Sequence, residues 1–349
     1  MKAPAGDRAK RTRRWWRAPR DDLSPMLVRQ GMPPTLFGFV RRVGMWSQLH
    51  VCALAVAVFI LNTAPLELQR RILNAAVLDG DFGRTVALAA VYAAVVLAEG
   101  LVKLLLNVYG GWIGEKAVRA LRLAANGIVQ SMTKRNSAAT RGVEISLILA
   151  EPEPIGGFVG MAVSELVLQV GILLSVFGYM IYMQPRLALV CLLVSSPQFV
   201  FVPLMQLAIN RRVRSRIVAL RKVSVGVLRE IPDERGGAFS QKLRFAQVFN
   251  VNLGIIKLRF SMKFLMNLTH NLGKVIVLAV GGWFVIKGTT DVGTVVAFVS
   301  GLNNVRDPWG DLVNWYQDMM LNGAKYQTFI GAMQKFAKDE EPLPARGGA

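Results

Sequence analysis

The chain has 349 residues, 53% of them hydrophobic, a mean hydropathy of +0.38 and a formal net charge of +20. A composition this apolar excludes an ordinary soluble domain. In a soluble chain the charge would suggest nucleic acid, but here the cations cluster between apolar runs, which points to membrane topology and anionic lipid with no nucleic-acid partner.

The first 34 residues read as a basic cytoplasmic tail. Lys10-Arg11-Thr12-Arg13-Arg14-Trp15-Trp16-Arg17 mixes cations with interfacial aromatics suited to an inner leaflet. No apolar run falls within the first 40 residues, so a cleaved signal peptide is not expected. From Thr35 to Trp46, Leu36, Phe37, Phe39 and Val40 lie near Arg41 and Arg42, the pattern of an interfacial elbow helix before the first span.

Six segments are apolar enough to cross a bilayer, which takes about 20 residues each: 45–64, 85–107, 157–182, 187–209, 264–286 and 292–315. Met183-Gln184-Pro185-Arg186 and Lys287-Gly288-Thr289-Thr290-Asp291 are tight turns, whereas the links at 107–157 and 210–263 are long. Residues 1–44 hold 11 Lys/Arg against 3 Asp, and 210–263 hold 13 Lys/Arg against 3 acids; the link at 65–84 has 3 of each sign. By the positive-inside rule both termini and the long links are cytoplasmic, in a multi-pass protein of the plasma (inner) membrane. Trp112 to Val129 keeps helical periodicity, so the second helix should project about 30 Å beyond the membrane before the polar stretch 134–142 turns it back. Residues 210–230 repeat the plan and break at Ile231-Pro232-Asp233-Glu234-Arg235-Gly236-Gly237. Cys52 and Cys191 sit in separate spans and offer neither a disulfide framework nor metal spacing.

Several stretches share a family pattern. Residues 275–298 run from a Gly-rich apolar span through a short turn into Val292-Gly293-Thr294 and Ala297-Phe298, followed by a helix with Pro308 and by Ala324 to Ile330. Gly114 to Arg122 reads as a second-helix extension, and Arg141-Gly142-Val143-Glu144-Ile145 as the start of an ascending third helix. Over about residues 35–335 the chain resembles the transmembrane domain of exporter-type ABC transporters. The resemblance implies an all-α, polytopic, six-helix unit with long cytoplasmic extensions that works as a dimer and rests two coupling elements on nucleotide-binding domains. By position these are Asn136, Ser137, Ala138, Ala139 and Thr140, and a second element around Glu230 and Asp233. Two departures stand out. Glu151-Pro152-Glu153-Pro154 should break or bend the start of the third helix. No G-x-x-x-x-G-K-[ST] phosphate loop occurs, and only a short tail, 336–349, follows the domain. The chain is therefore not expected to be an ATPase itself. ATP and Mg would be held by a partner subunit, with no cofactor, metal or catalytic residue here.

Polar residues inside spans are costly unless they face a cavity or a partner. Glu99 and Lys103, four apart, either neutralise each other or line a cavity. Asn267, His270, Asn271 and Lys274 form an i, i+3, i+4, i+7 stripe suited to line water, although a structural histidine fits His270 better than a proton relay. The sixth span carries Asn303, Arg306, Asp307 and Asp311 around Pro308, consistent with a pathway formed with a second copy. Gly171 and Gly178 would let the third span pack closely.

The leading expectation is a permease subunit, dimeric with itself or a related chain and powered by a separate ATPase. Two alternatives remain: a proton-coupled transporter using Glu99, His270 and Asp307, and a degenerate membrane scaffold or regulator.

Overall fold

The computed structural model describes residues 32–132, 151–229 and 237–338. Among them there are six helices and no strand: α1 (Leu36–Val77), α2 (Phe82–Met132), α3 (Pro152–Met183), α4 (Pro185–Arg229), α5 (Gly237–Ile286) and α6 (Val292–Lys338). Apart from α3, each is far longer than a bilayer requires; the 51 residues of α2 extend about 75 Å against a hydrocarbon core of about 30 Å. Five helices carry an apolar window suited to crossing. The expected sixth span, in α6, falls short of that standard because Asn303, Asn304, Arg306, Asp307 and Asp311 interrupt it.

The short links are as tight as expected. Gln184 alone separates α3 from α4, and Gly288, at φ 70°, turns α5 into α6 in a conformation that favours glycine. One expectation changes. Residues 65–77 are not a link but the last turns of α1, and only 78–81 join it to α2. At the prolines the chain bends at Glu151 and α3 starts directly after it, while 133–150 lie outside the described residues. Pro152 is its first residue and Pro154 lies in its first turn, where backbone N–H groups have no intrahelical acceptor and proline costs nothing. The coupling candidates Asn136, Ser137, Ala138, Ala139, Thr140, Glu230 and Asp233 lie outside the described residues, as does 141–145.

The chain forms two compact units. The first draws on Met1–Leu54, Leu104–Ser164 and Tyr316–Ala349. Its elbow is real: Gly44, at φ 154° and ψ 97°, breaks α1 after Val43. The face of Leu36, Phe39, Val40 and Val43 is buried in protein, with Phe39 stacked on Tyr326 at 5.5 Å; Phe37 and Trp46 remain exposed. Tyr326 donates to Pro33 O (2.9 Å) and Gln327 to Pro34 O (2.5 Å), tying the approach to α1 onto α6. Between α2 and α3 the packing is backbone on backbone. A Cβ on Gly160 would meet Gly110 O at 2.3 Å, and one on Gly156 would meet Gly114 O at 2.8 Å. Two G-x-x-x-G stripes thus face each other, the spacing that lets membrane helices approach closely.

The second unit comprises Ala55–Lys103 and Glu165–Trp315. Here α4 and α5 pack along each other as a hairpin. Gly171 admits the Phe59 ring of α1, whereas Gly178 has no neighbour within 4 Å, so only one of the two expected small residues carries a close contact.

Candidate functional site: a polar seam between α5 and α6

Helices α5 and α6 run antiparallel, with Gly281 against Val295 and Gly273 near Leu302. Between these apolar contacts and the long-link end lie two polar rungs one turn apart. His270 Nε2 sits 3.1 Å from Asn303 Oδ1. The Arg306 guanidinium donates to the Asn267 side-chain oxygen. The 3.6-residue period explains the spacing: Asn267 and His270 are three apart on α5, as are Asn303 and Arg306 on α6, so both pairs fall on facing stripes. His270 is buried, while Asn303 and Arg306 are exposed on their other sides.

Beyond the second rung an open cleft of about 420 Å³ is lined by Lys263, Met266 and Asn267 of α5 and by Arg306, Asp307, Gly310 and Asp311 of α6. Two cations and two carboxylates face one space. Its far wall is braced from α3: the buried Gln169 amide donates to Glu165 Oε1 (2.6 Å) and to Asp311 Oδ2 (3.4 Å).

Six of the sequence candidates thus converge: Asn267, His270, Asn303, Arg306, Asp307 and Asp311. The other four do not join them through any hydrogen bond or ion pair among the described residues. Asn271 is exposed and Lys274 half-buried on α5. Glu99 accepts from Asn62 Nδ2 of α1 at 3.1 Å rather than pairing with Lys103, which is exposed. No hydrogen bond links Glu99, His270 and Asp307 to one another, and among the described residues no cluster of three His, Cys, Asp or Glu is placed to hold a metal.

Sequence reasoning missed Lys263 and Gln169, and a network at the short-link end. Glu67 of α1 accepts from Arg70 (2.9 Å), Arg71 (2.6 Å) and the Tyr179 hydroxyl of α3 (2.6 Å). Arg70 also lies 3.9 Å from Asp291, which caps α6 through Thr294 N (2.6 Å), and Asn74 Oδ1 accepts from Gly293 N (3.2 Å). The i, i+3 and i+4 spacing of Glu67, Arg70 and Arg71 was visible in the sequence. Tyr179 gave no such signal.

Long apolar helices with polar groups bonded across their shared seam define a polytopic helical membrane protein. Residues 50–230, more than half of the chain, match the model of the ABC transporter transmembrane region, and the chain belongs to that family. The match spans most of α1 to α4 and stops before α5 and α6. No curated protein matches the sequence.

Proposed function

We propose that this chain is the permease subunit of an ABC transporter in the plasma (inner) membrane, with both termini cytoplasmic. Two copies, or one copy and a related subunit, enclose the substrate pathway. ATP and Mg are bound and ATP is hydrolysed outside these 349 residues, on a nucleotide-binding subunit. The observation that carries the reading is the cleft at the α5–α6 seam. Charged groups in a membrane helix cost about 2.5–3.5 kcal/mol each on insertion scales, and Arg306, Asp307 and Asp311 share one open cleft in α6, which among the described helices lacks an apolar window suited to crossing. A water-filled pathway removes that cost. The long shafts of α2, α4 and α5 give the ATPase a lever: closing on ATP, it pushes the hairpin tips, and the shafts carry the motion to the seam. Hydrolysis resets the cycle.

The test is purification of the tagged full chain from native membranes in mild detergent after cross-linking. The expected partner is a protein with a phosphate loop, lost when 136–140 is replaced by a Gly-Ser linker. Recovery as a homodimer with no ATPase at any stoichiometry would overturn the proposal.

A further inference from the structure

We infer that α4 and α5 form a binding site for the phosphate of an anionic phospholipid on the long-link side of the membrane. The site is a cleft of about 550 Å³ whose polar lining is Arg212 and Ser215 of α4 with Gln247 and Asn250 of α5. Arg212, Gln247 and Asn250 have N–H groups to donate, the Ser215 hydroxyl donates to Arg211 O at 3.2 Å, and none of the four is acidic. The rest of the lining is apolar: Leu243, Ala246 and Val251.

Three observations make this an anion site rather than a solvated groove. First, neither helix contains a single Asp or Glu, yet α4 carries eight Lys/Arg and α5 six. Nothing in the hairpin's own helices can neutralise Arg212, and among the described residues no carboxylate pairs with it. Second, the guanidinium is seated. A Cβ on Gly254 would lie 2.3 Å from Arg212 Nη1, so the glycine leaves a notch that holds the fork against α5. A planar guanidinium fixed this way suits bidentate contact with phosphate oxygens. Third, the height is right. Arg211 and Arg212 follow the apolar run ending at Ile209 with only Asn210 between, where the helix leaves the hydrocarbon for the headgroups. On the bilayer side of that notch, Phe260 and Phe264 of α5 are exposed, an apolar surface for acyl chains below the headgroup. Basic pockets between membrane helices are known headgroup sites. A free phosphate would use the same donors but not the phenylalanines.

The test measures unfolding temperature of the full chain in neutral detergent while dioctanoyl phosphatidylglycerol is titrated, with dioctanoyl phosphatidylcholine and inorganic phosphate in parallel. Phosphatidylglycerol should raise the temperature saturably and phosphatidylcholine should not. Arg212→Gln should weaken the apparent affinity by about ten-fold or more, the scale of a lost charged hydrogen bond. Arg244→Gln, a half-buried cation outside the cleft, should leave it unchanged. Gly254→Leu, which fills the notch, should reproduce the loss; Gln247→Ala, which removes a lining amide, supplies a milder variant should either fail to fold. Equal responses to the two lipids, or equal effects of the Arg212 and Arg244 variants, would overturn the site. An equal response to inorganic phosphate would assign the cleft to a free anion and overturn the lipid. Protection of the cleft by a second copy, seen as a shift toward monomer in Arg212→Gln without change in lipid response, would also overturn it.

Discussion

Asn303 on α6 faces the buried His270 on α5 at 3.1 Å, and this contact is the imidazole's hydrogen bond across the seam. Replacing Asn303 by Leu leaves a buried ring nitrogen unpaired, which costs about 1–3 kcal/mol. The double variant His270→Leu with Asn303→Leu removes both partners and should recover most of that loss. Thermal unfolding of the four proteins in detergent measures the cycle. If Asn303→Leu alone is as stable as the parent, the rung carries no structural weight.

The cleft variants should separate function from stability. Lys263 and Asp307 are exposed and line the open space without a hydrogen bond or ion pair among the described residues. Lys263→Gln and Asp307→Asn should therefore change unfolding by no more than about 0.5 kcal/mol, the usual surface value. In reconstituted vesicles with the proposed partner ATPase, substrate-stimulated ATP turnover should fall. Unchanged turnover in both variants would move the pathway away from this seam.

Glycines on α3 give a contrast within one turn. A side chain at Gly160 drives into Gly110 O and the Gly114 backbone, whereas Gly157 has nothing within 4 Å. Gly160→Val should exceed the roughly 1–3 kcal/mol of ordinary overpacking, because backbone atoms cannot swing aside, and folded yield should collapse. Gly157→Val should express as the parent does. Equal yields would contradict the close α2–α3 approach.

These glycines also mark what the sequence made legible and what it did not. The spans, tight turns and helical shafts followed from apolar runs, Gly288 and the charge pattern, because each is a property of consecutive residues. Partner choice is not. Glu99 and Lys103 share a face by the i, i+4 rule, but Asn62 arrives from another helix and takes the carboxylate instead. The charges of 65–77 suggest a link when counted by sign; on a helix Glu67 bonds both Arg70 and Arg71, Asp291 of α6 lies 3.9 Å from Arg70, and α1 continues. Within the seam, the stripe on α5 was visible as a period, while the selection of Asn267 and His270 over Asn271 required the register of α6. The G-x-x-x-G pairs of α2 and α3 are readable in the sequence, but their spacing alone does not say that they meet one another's backbone.

Glu67 and Tyr179 join α1 to α3 at 2.6 Å at the short-link end. Glu67→Gln and Tyr179→Phe should each destabilise the protein, and the pair should be non-additive by about 0.5–3 kcal/mol, as expected for contacting residues in one network. Additive losses would mean that the two side chains act independently. In the proposed transport cycle this bond ties together helix ends at the short-link side, so Tyr179→Phe should also raise ATP turnover measured without substrate.

Tyr326 lies outside the expected spans and anchors the approach to α1 through Pro33 O. Burial pushes its phenol above the ordinary tyrosine range, and the neighbouring charge of Arg42 offsets only part of that. A raised folded-state value means that its contribution is fully present below the unfolded value of about 10 and fades as pH rises toward the folded one. Stability should therefore be flat for this group through neutral pH and decline in alkali. Tyr326→Phe removes a buried donor and leaves Pro33 O without it, for a loss of about 1 kcal/mol at neutral pH. The same variant has no phenol to ionise, so its gap to the parent should narrow above pH 10. Unfolding temperatures of both proteins from pH 7 to 11 decide the matter: a gap that stays constant across that range would show that Tyr326 does not hold its proton through folding.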